Sequence, residues 1–595
     1  MCCSTLCVLR LIGVSFSICK ERLKAMGKSI SWEAVSNSRP SRCTVISSII
    51  PILLILLSLF CFFAFDPIFV AMVASKLSFS ESSLGEPSQA TFLWSKPPMN
   101  NTFNFYVYNV TNPSHINWFG EMPSVIEVGP FAIKESEQKK EYRFSDDGNS
   151  IWYKNYKRFV YDKERSSMAD MGDPKYNVTK TAKWIISLGL ILLGEYPFKI
   201  VTFGDLVFDG YDDPLLTLGH SRLLEYLSDT YNGGNSIIPF PIPNMNKMGF
   251  FVGYNNSNDE DYLIHSGKDN IKNIANIQEW AGRKNLSWWD DPSAAAINGS
   301  DSGSFSPPNL SKNDRLYMFQ SYMCRSFYME YNKDKTVHNI PGYNFEIPES
   351  LYDTTLEENI GFRYPNRERV NYFPDWPSCP NRTKTGVNCD LVNVNCAISQ
   401  NLCHECCNGS KVDNSYLLPP GYFPMPCFPG KNELAPFAMI FSAPHYLFSP
   451  PSAVNSIYGM DPNHEAHVPL SYTHEPQSGM ITEVKFRLQI NVPVYQNGAV
   501  IQTGQFPNKL LPVLWADSHA YLTEPAYDMI YSFFVTVPKA VDITKFVSLF
   551  LGLALILLIV AVKVRSRNQR IARERRNNAL LKKEELGEKK DVEVV

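Results

Sequence analysis

Cysteine and histidine supply the first residues with chemistry to offer. Cys379, Cys389, Cys396, Cys403, Cys406 and Cys407 crowd one stretch, and Cys403-His404-Glu405-Cys406 has the spacing of a zinc ligand set. Cys324 and Cys427 make the region's cysteines an even set, which favours disulfides in an oxidising compartment over a metal site. Spacing alone does not choose the pairing. His464-Glu465-Ala466-His467 lacks the i, i+4 spacing that sets two imidazoles around zinc on one helix face, and it sits in a proline-rich loop. Asp212 and Asp213 are adjacent carboxylates before Pro214, a turn signature more than an acid/base pair. The chain has no GxSxG elbow and no GxxxxGK[ST] phosphate loop. No enzyme, cofactor or metal is expected.

Modification chemistry is better represented. Asn-x-Ser/Thr acceptors begin at Asn100, Asn109, Asn177, Asn255, Asn285, Asn298, Asn309, Asn381 and Asn408, while Asn112 is excluded by Pro113. Cys2, Cys3 and Cys7 are candidates for acylation, and Met26-Gly27-Lys28-Ser29-Ile30-Ser31 fits a myristoylation pattern if translation starts at Met26.

These residues need a topology that puts acceptors and cysteines outside the cell. Val45 to Phe65 and Phe546 to Val562 are uncharged and apolar, so each is expected to cross a membrane. Arg10, Lys20, Arg22, Lys24, Lys28, Arg39 and Arg42 precede the first; Lys563, Arg565, Arg567, Arg570, Arg573, Arg575 and Arg576 follow the second. Basic flanks stay cytoplasmic. The expected plan is therefore a cytoplasmic segment 1–44, a span 45–65, an outer or lumenal segment 66–545, a span 546–562 and a solvated cytoplasmic tail 563–595. Every sequon lies between the spans. A net charge of -3 gives no global field for nucleic acid.

Within the outer segment, KFRLQINVPV alternates Phe486, Leu488, Ile490, Val492 and Val494 with polar residues, predicting a strand with one buried and one wet face. FNFYVYNV, from Phe103 to Val110, alternates too. Strands from both ends of the segment imply one antiparallel body. WIISLGLILL, from Trp184 to Leu193, is as apolar as a span but about half the roughly 20 residues needed to cross.

NFYVYNVTNPSHINWFGEMPSVIEVGPF resembles the membrane-proximal signature of the CD36 family, the class B scavenger receptors and their lysosomal relatives. FGDLVFDGYDDPLL, HSGKDNIKNIANIQEWAGRKNLSWW, INGSDSGSFSPP, MCRSFYMEY, SAPHYLFSPPSAVNSIYGMDPNHEAH and KFRLQINVPV follow in the family's order. The resemblance implies an α+β ectodomain: an antiparallel β-barrel with apical helices at about 165–230 and an internal apolar tunnel carrying lipid. It implies a Cys324–Cys427 disulfide, and departs from the family at Ala294, where members often carry cysteine. Lipids and lipoprotein particles are the implied partners, at the plasma membrane or, alternatively, the lysosome; adhesion to microbes or dying cells is a third reading.

The resemblance places WIISLGLILL in the apical bundle. Trp184, Ile185, Leu188, Ile191 and Leu192 share a helical face, leaving Ile186, Leu190 and Leu193 to contact lipid particles or a second copy of the chain. Some members carry an apical lysine pair, which is absent from the matching Leu192, Leu193, Gly194 and Glu195 here. Lys180, Lys183 and Lys199 flank the region instead.

Overall fold

The computed structural model describes residues 42–162, 165–166, 178–181, 198–219, 245–376, 411–412, 415–496 and 505–591. Several sites expected from sequence lie outside them: Cys2, Cys3, Cys7, Asn177, Lys183, Trp184, Ile186, Leu190, Leu193, Cys379, Asn381, Cys389, Cys396, Cys403, Cys406, Cys407 and Asn408. The chain divides into two compact units, Met72–Tyr531 and a second made of Met1–Ala71 with Ser532–Val595.

The larger unit is built on a 14-stranded sheet. Its first strands are β1 (Met99–Val110), β2 (Val125–Phe144) and β3 (Ser150–Tyr161). A separate hairpin joins β4 (Val178–Thr181) to β5 (Phe198–Val201). The sheet resumes with β6 (Ser257–His265), β7 (Ile277–Trp280), β8 (Ser300–Asp301), β9 (Leu316–Gln320), β10 (Arg325–Val337) and β11 (Ile340–Glu346). A minor pair, β12 (Lys411–Val412) and β13 (Ser415–Tyr416), stands apart. The last strands are β14 (Tyr422–Cys427), β15 (Leu434–Ser442), β16 (Leu470–His474), β17 (Ile481–Val494) and β18 (Lys509–Leu522).

Strand order is β7-β6-β3-β2-β1-β18-β17-β16-β11-β10-β9-β8, with β15 also paired to β17. Every pairing is antiparallel except β8 with β9. Strands from opposite ends of the segment, β1 and β18, are direct neighbours, with Phe105 opposite Ala516. The two edges of the sheet come together where Asn276 bridges Ser300 and Ile277 donates its N–H to the Gly299 carbonyl at 2.8 Å. The result is a nearly closed barrel.

Inward side chains form two hydrophobic clusters. One gathers Phe105, Phe131, Ile133, Phe345, Phe423, Leu488, Ile490 and Leu514; the other gathers Phe79, Trp94, Ile151, Tyr153, Tyr262, Ile264 and Trp280. Strands β2 and β3 pass from one cluster to the other.

The expected wet face of β17 is buried. Arg487, Gln489 and Asn491 are 6%, 0% and 0% exposed, because the segment 443–468 lies over Arg487 and Gln489 and the paired strand β15 holds Asn491. Arg487 pairs with Asp517 at 2.8 Å and donates to the Val468 carbonyl; Gln489 accepts from the His445 N–H, and Asn491 donates to the Ile440 carbonyl. Burial of these groups is tolerated because each is hydrogen-bonded. His464–His467, expected in a loop, forms one helical turn capped by Asn463.

In the smaller unit, helix Arg42–Phe63 is followed by Phe65–Leu77. Ile49–Phe63 and Phe65–Leu77 are bent by 55° to each other and together are long and apolar enough to cross a membrane. A single helix, Val537–Asp591, carries the second apolar stretch and continues through the basic tail. The tail, expected only to be solvated, is helical through Asp591. Arginine, lysine, glutamate and leucine are strong helix formers, and Arg570 pairs with Glu574 one turn on at 3.2 Å. The two apolar helices touch closely at Gly552, where a Cβ would meet Ile55 at 2.9 Å, and Ser58 donates to the Lys545 carbonyl. Their outer faces expose Leu53, Leu56, Phe63, Phe550 and Leu557.

Candidate functional site

A cavity of about 170 Å³ lies inside the barrel. Period-two alternation in adjacent strands builds its apolar wall. Phe103 and Phe105 of β1 face the same interior as Phe486, Leu488 and Ile490 of β17 and Leu514 and Ala516 of β18. Phe159, Phe208 and Phe251 complete the aromatic side. Phe208 is held by the helical turn Asp205–Asp209, and its ring lies 5.9 Å from that of Phe105.

The floor is charged. Along the inner face of β2, Phe131 and Ile133 are followed by Glu135, Glu137 and Lys139, all at two-residue spacing, while Lys134, Ser136, Gln138 and Lys140 face outward. On β3 the inward Phe159 is followed, going backward, by Lys157 and Asn155 before Tyr153 and Ile151. Register places Glu135 opposite Phe159, Glu137 opposite Lys157 and Lys139 opposite Asn155. A polar layer therefore separates the two hydrophobic clusters.

Its members are tightly paired. Lys157 Nζ lies 3.2 Å from Glu135 and 4.8 Å from the centre of the Tyr322 ring. Asn101 donates to Glu135 at 2.5 Å. Lys139, with no side-chain exposure, contacts Glu137 and sits 5.9 Å from the Tyr153 ring centre. Asp301 accepts from Tyr153 at 3.1 Å and Asn155 at 3.2 Å; Asp259 Oδ2 accepts from Tyr262 at 2.7 Å and Ser321 at 2.9 Å. Asp259 Oδ1 is buried with no hydrogen-bond partner.

Burial opposes ionisation of Glu137, but the charges of Lys139 and then Lys157 outweigh it and hold its carboxyl at about 2. Asp259 goes the other way: burial first, and the Asp301 charge second, push it up to about 7. Burial raises Asp301 as well. An apolar wall of phenylalanines thus meets a charged floor within one cavity.

A second titratable cluster lies where segment 443–468 covers the sheet. His445 Nε2 is 2.7 Å from Glu127, and Trp515 donates to the same carboxylate at 2.7 Å. His467 stacks on His445 with ring centres 4.4 Å apart. Burial, then the neighbouring His445, depresses His467 to about 4.

The residues singled out from sequence are scattered around this site. Cys324 and Cys427 are bonded, with Cα atoms 5.8 Å apart, and Trp288 and Trp289 both donate to the Cys324 carbonyl. Ala294, at a family cysteine position, is 1% exposed and packs close to Gly361. Asn100, Asn255, Asn285, Asn298 and Asn309 are exposed and Asn109 is half-buried. Lys180 and Lys199 are register partners in the β4–β5 hairpin, and Lys199 lies 5.0 Å from the Tyr211 ring centre. Sequence reasoning missed Glu135, Glu137, Lys139, Lys157, Asp259 and Asp301. In IKESEQKKEYRF both faces of the strand are polar, so alternation gave no signal of which side was core.

Comparison with known proteins places the chain among relatives of the same length class. It is 36% identical over 88% of its length to an uncharacterized protein of Caenorhabditis elegans, covering 98% of that protein. It is 28% identical to lysosome membrane protein 2 of Homo sapiens over 72% of this chain and 76% of that one. It is 24% identical to scavenger receptor class B member 1 of Mus musculus over 81% of this chain and 83% of that one. The CD36 family model matches residues 49–563. With that match spanning nearly the whole chain and the same segments folded around one barrel, this protein belongs to the CD36 family.

Proposed function

We propose that this protein is a membrane receptor that binds lipids or lipoprotein particles through its outer segment and passes lipid through the barrel toward the bilayer. The observation that carries this reading is the phenylalanine-walled cavity inside a nearly closed sheet. Exposing a sixteen-carbon chain to water costs about 0.8 kcal/mol per methylene, so about 12 kcal/mol in all. A walled path removes most of that barrier without an energy source. Mass spectrometry of lipid released from the full chain, purified from cells, tests the reading. Sterol or acyl lipid retained in defined ratio is expected; an empty protein that also takes up neither would overturn it.

The membrane plan that goes with this reading has two spans and both termini in the cytoplasm. It is supported by the basic flanks, the sequons confined to 66–545 and the exposed apolar faces of helices Arg42–Phe63 and Val537–Asp591. At the apex, Ile186, Leu190 and Leu193 are the proposed contact for particles or for a second copy. Ile186→Glu and Leu190→Glu should lower particle binding or oligomerisation while surface expression persists. Loss of expression would assign them to the core.

Residence at the plasma membrane is proposed. A lysosomal site is the second reading, favoured by the likeness to proteins named lysosome membrane protein 2. Surface biotinylation separates the two: labelling of most mature protein is expected, and a wholly protected pool would move the assignment to the lysosome.

A further inference from the structure

Past its apolar stretch, the helix Val537–Asp591 carries a concentrated block of positive charge. Residues 563–576 hold seven bases against the single acid Glu574. All of them are exposed, and among the described residues the one ion pair in the block is Arg570 with Glu574 at 3.2 Å. From Lys582 to the end of the chain, four bases meet five acids. The excess is therefore confined to about the first 20 Å of helix beyond the apolar stretch. Orientation in the membrane accounts for the bases but not for the scarcity of acids, because Asp and Glu contribute little to the positive-inside rule. A net field, in contrast, depends on both signs.

The arrangement of the bases narrows the kind of partner. At about 100° per residue, Lys563, Arg567 and Arg570 share one side of the helix, Arg565 and Arg576 the opposite one, and Arg573 and Arg575 the flanks. Val564 and Ile571 are the only large apolar residues between Val562 and Leu580. Two anchors seven residues apart do not make the apolar stripe by which an amphipathic helix enters a protein groove. Charge on every side suits a layer that surrounds the helix. Headgroups around a helix leaving the bilayer form such a layer, and long arginine stems let the guanidinium groups reach back to it.

We propose that residues 563–576 dock onto the anionic lipid headgroups of the leaflet from which the helix emerges, with phosphatidylserine supplying the charge. This rests on the membrane plan above, which puts the block on the cytoplasmic side, where such lipids concentrate. Each base close to an anionic surface strengthens the association about fivefold.

The test uses the full chain in nanodiscs of phosphatidylcholine with phosphatidylserine, carrying a photoreactive form of one lipid or the other. Crosslinks to residues 563–582 and to the span 546–562 are read by mass spectrometry. The serine lipid is expected to label 563–582 at least about tenfold more than the choline lipid at low salt, and the ratio should fall toward one at about 0.5 M salt. The triple variant Arg567→Gln, Arg570→Gln, Arg573→Gln keeps Lys563 and Arg565 beside the span and should bring the ratio to within about threefold of one, with labelling of the span reporting intact insertion. Replacing the same three arginines with lysine should preserve the ratio. Equal labelling of 563–582 by the two lipids, no labelling there while the span is labelled, or an unchanged ratio in the glutamine variant each overturns the inference and leaves the span standing. A span labelled by neither lipid overturns the membrane plan and the inference with it.

Discussion

Asp259 shows how one buried carboxyl ties protonation to stability. Its folded pKa, about 7, lies above the unfolded value of about 3.9. The folded state therefore keeps a proton that the unfolded state has lost. Stability from this group is fully present below the unfolded pKa and is lost as pH rises through about 7. Asp259→Asn keeps an acceptor for Tyr262 and Ser321 and removes the charge. Its melting temperature should exceed that of wild type by more at pH 8 than at pH 5, as read by calorimetry; a constant difference would refute the assignment. Lys139 carries the opposite lesson. Lys139→Met takes from the half-buried Glu137 its contacting lysine and leaves only the charge of Lys157, expected to cost up to about 3 kcal/mol. Adding Glu137→Leu should restore much of that, and a double-mutant cycle measures the coupling.

At the scale of elements, the barrel depends on one backbone approach at its seam. Gly299 has φ +82°, and a Cβ there would stand 2.0 Å from the Tyr317 carbonyl oxygen. The same residue offers the carbonyl that accepts from Ile277 where the sheet edges meet. Gly299→Ala must push β9 away or open the seam, so thermal unfolding should show a loss well beyond the strain of a left-handed alanine. Gly282, at φ +68° with open space around it, is the control: Gly282→Ala should cost only about 1–2 kcal/mol. Similar losses in both would mean that closure is not tight at Gly299. Strand β17 makes a related point. Its sequence pattern is that of a half-wet strand, yet segment 443–468 covers Arg487 and Gln489, and β15 holds Asn491. A local pattern records that one face is polar; it does not record what later folds over it.

For the whole molecule, sequons and basic flanks give a topology that can be measured directly. Glycosidase treatment should shift the mass of the mature protein, with sugar at the exposed Asn100, Asn255, Asn285, Asn298 and Asn309 and none at Asn112. An epitope after Asp591 should be reached by antibody only once the plasma membrane is permeabilised. Labelling of intact cells would reverse the orientation.

The sequence by itself determined the family, the two apolar stretches, the alternation of β1 and β17 and, through the family resemblance, the Cys324–Cys427 pair. Each is written in residue type and short-range spacing. It did not determine that IKESEQKKEYRF turns Glu135, Glu137 and Lys139 into the barrel, or that Asp259 and Asp301 join them from strands far along the chain. A period of two distinguishes the faces of a strand but not which one is inside, unless one face is apolar. Where both faces are charged, only the neighbouring strands, the partners they bring and the closing of the sheet at Asn276 and Ser300 decide which charges are buried.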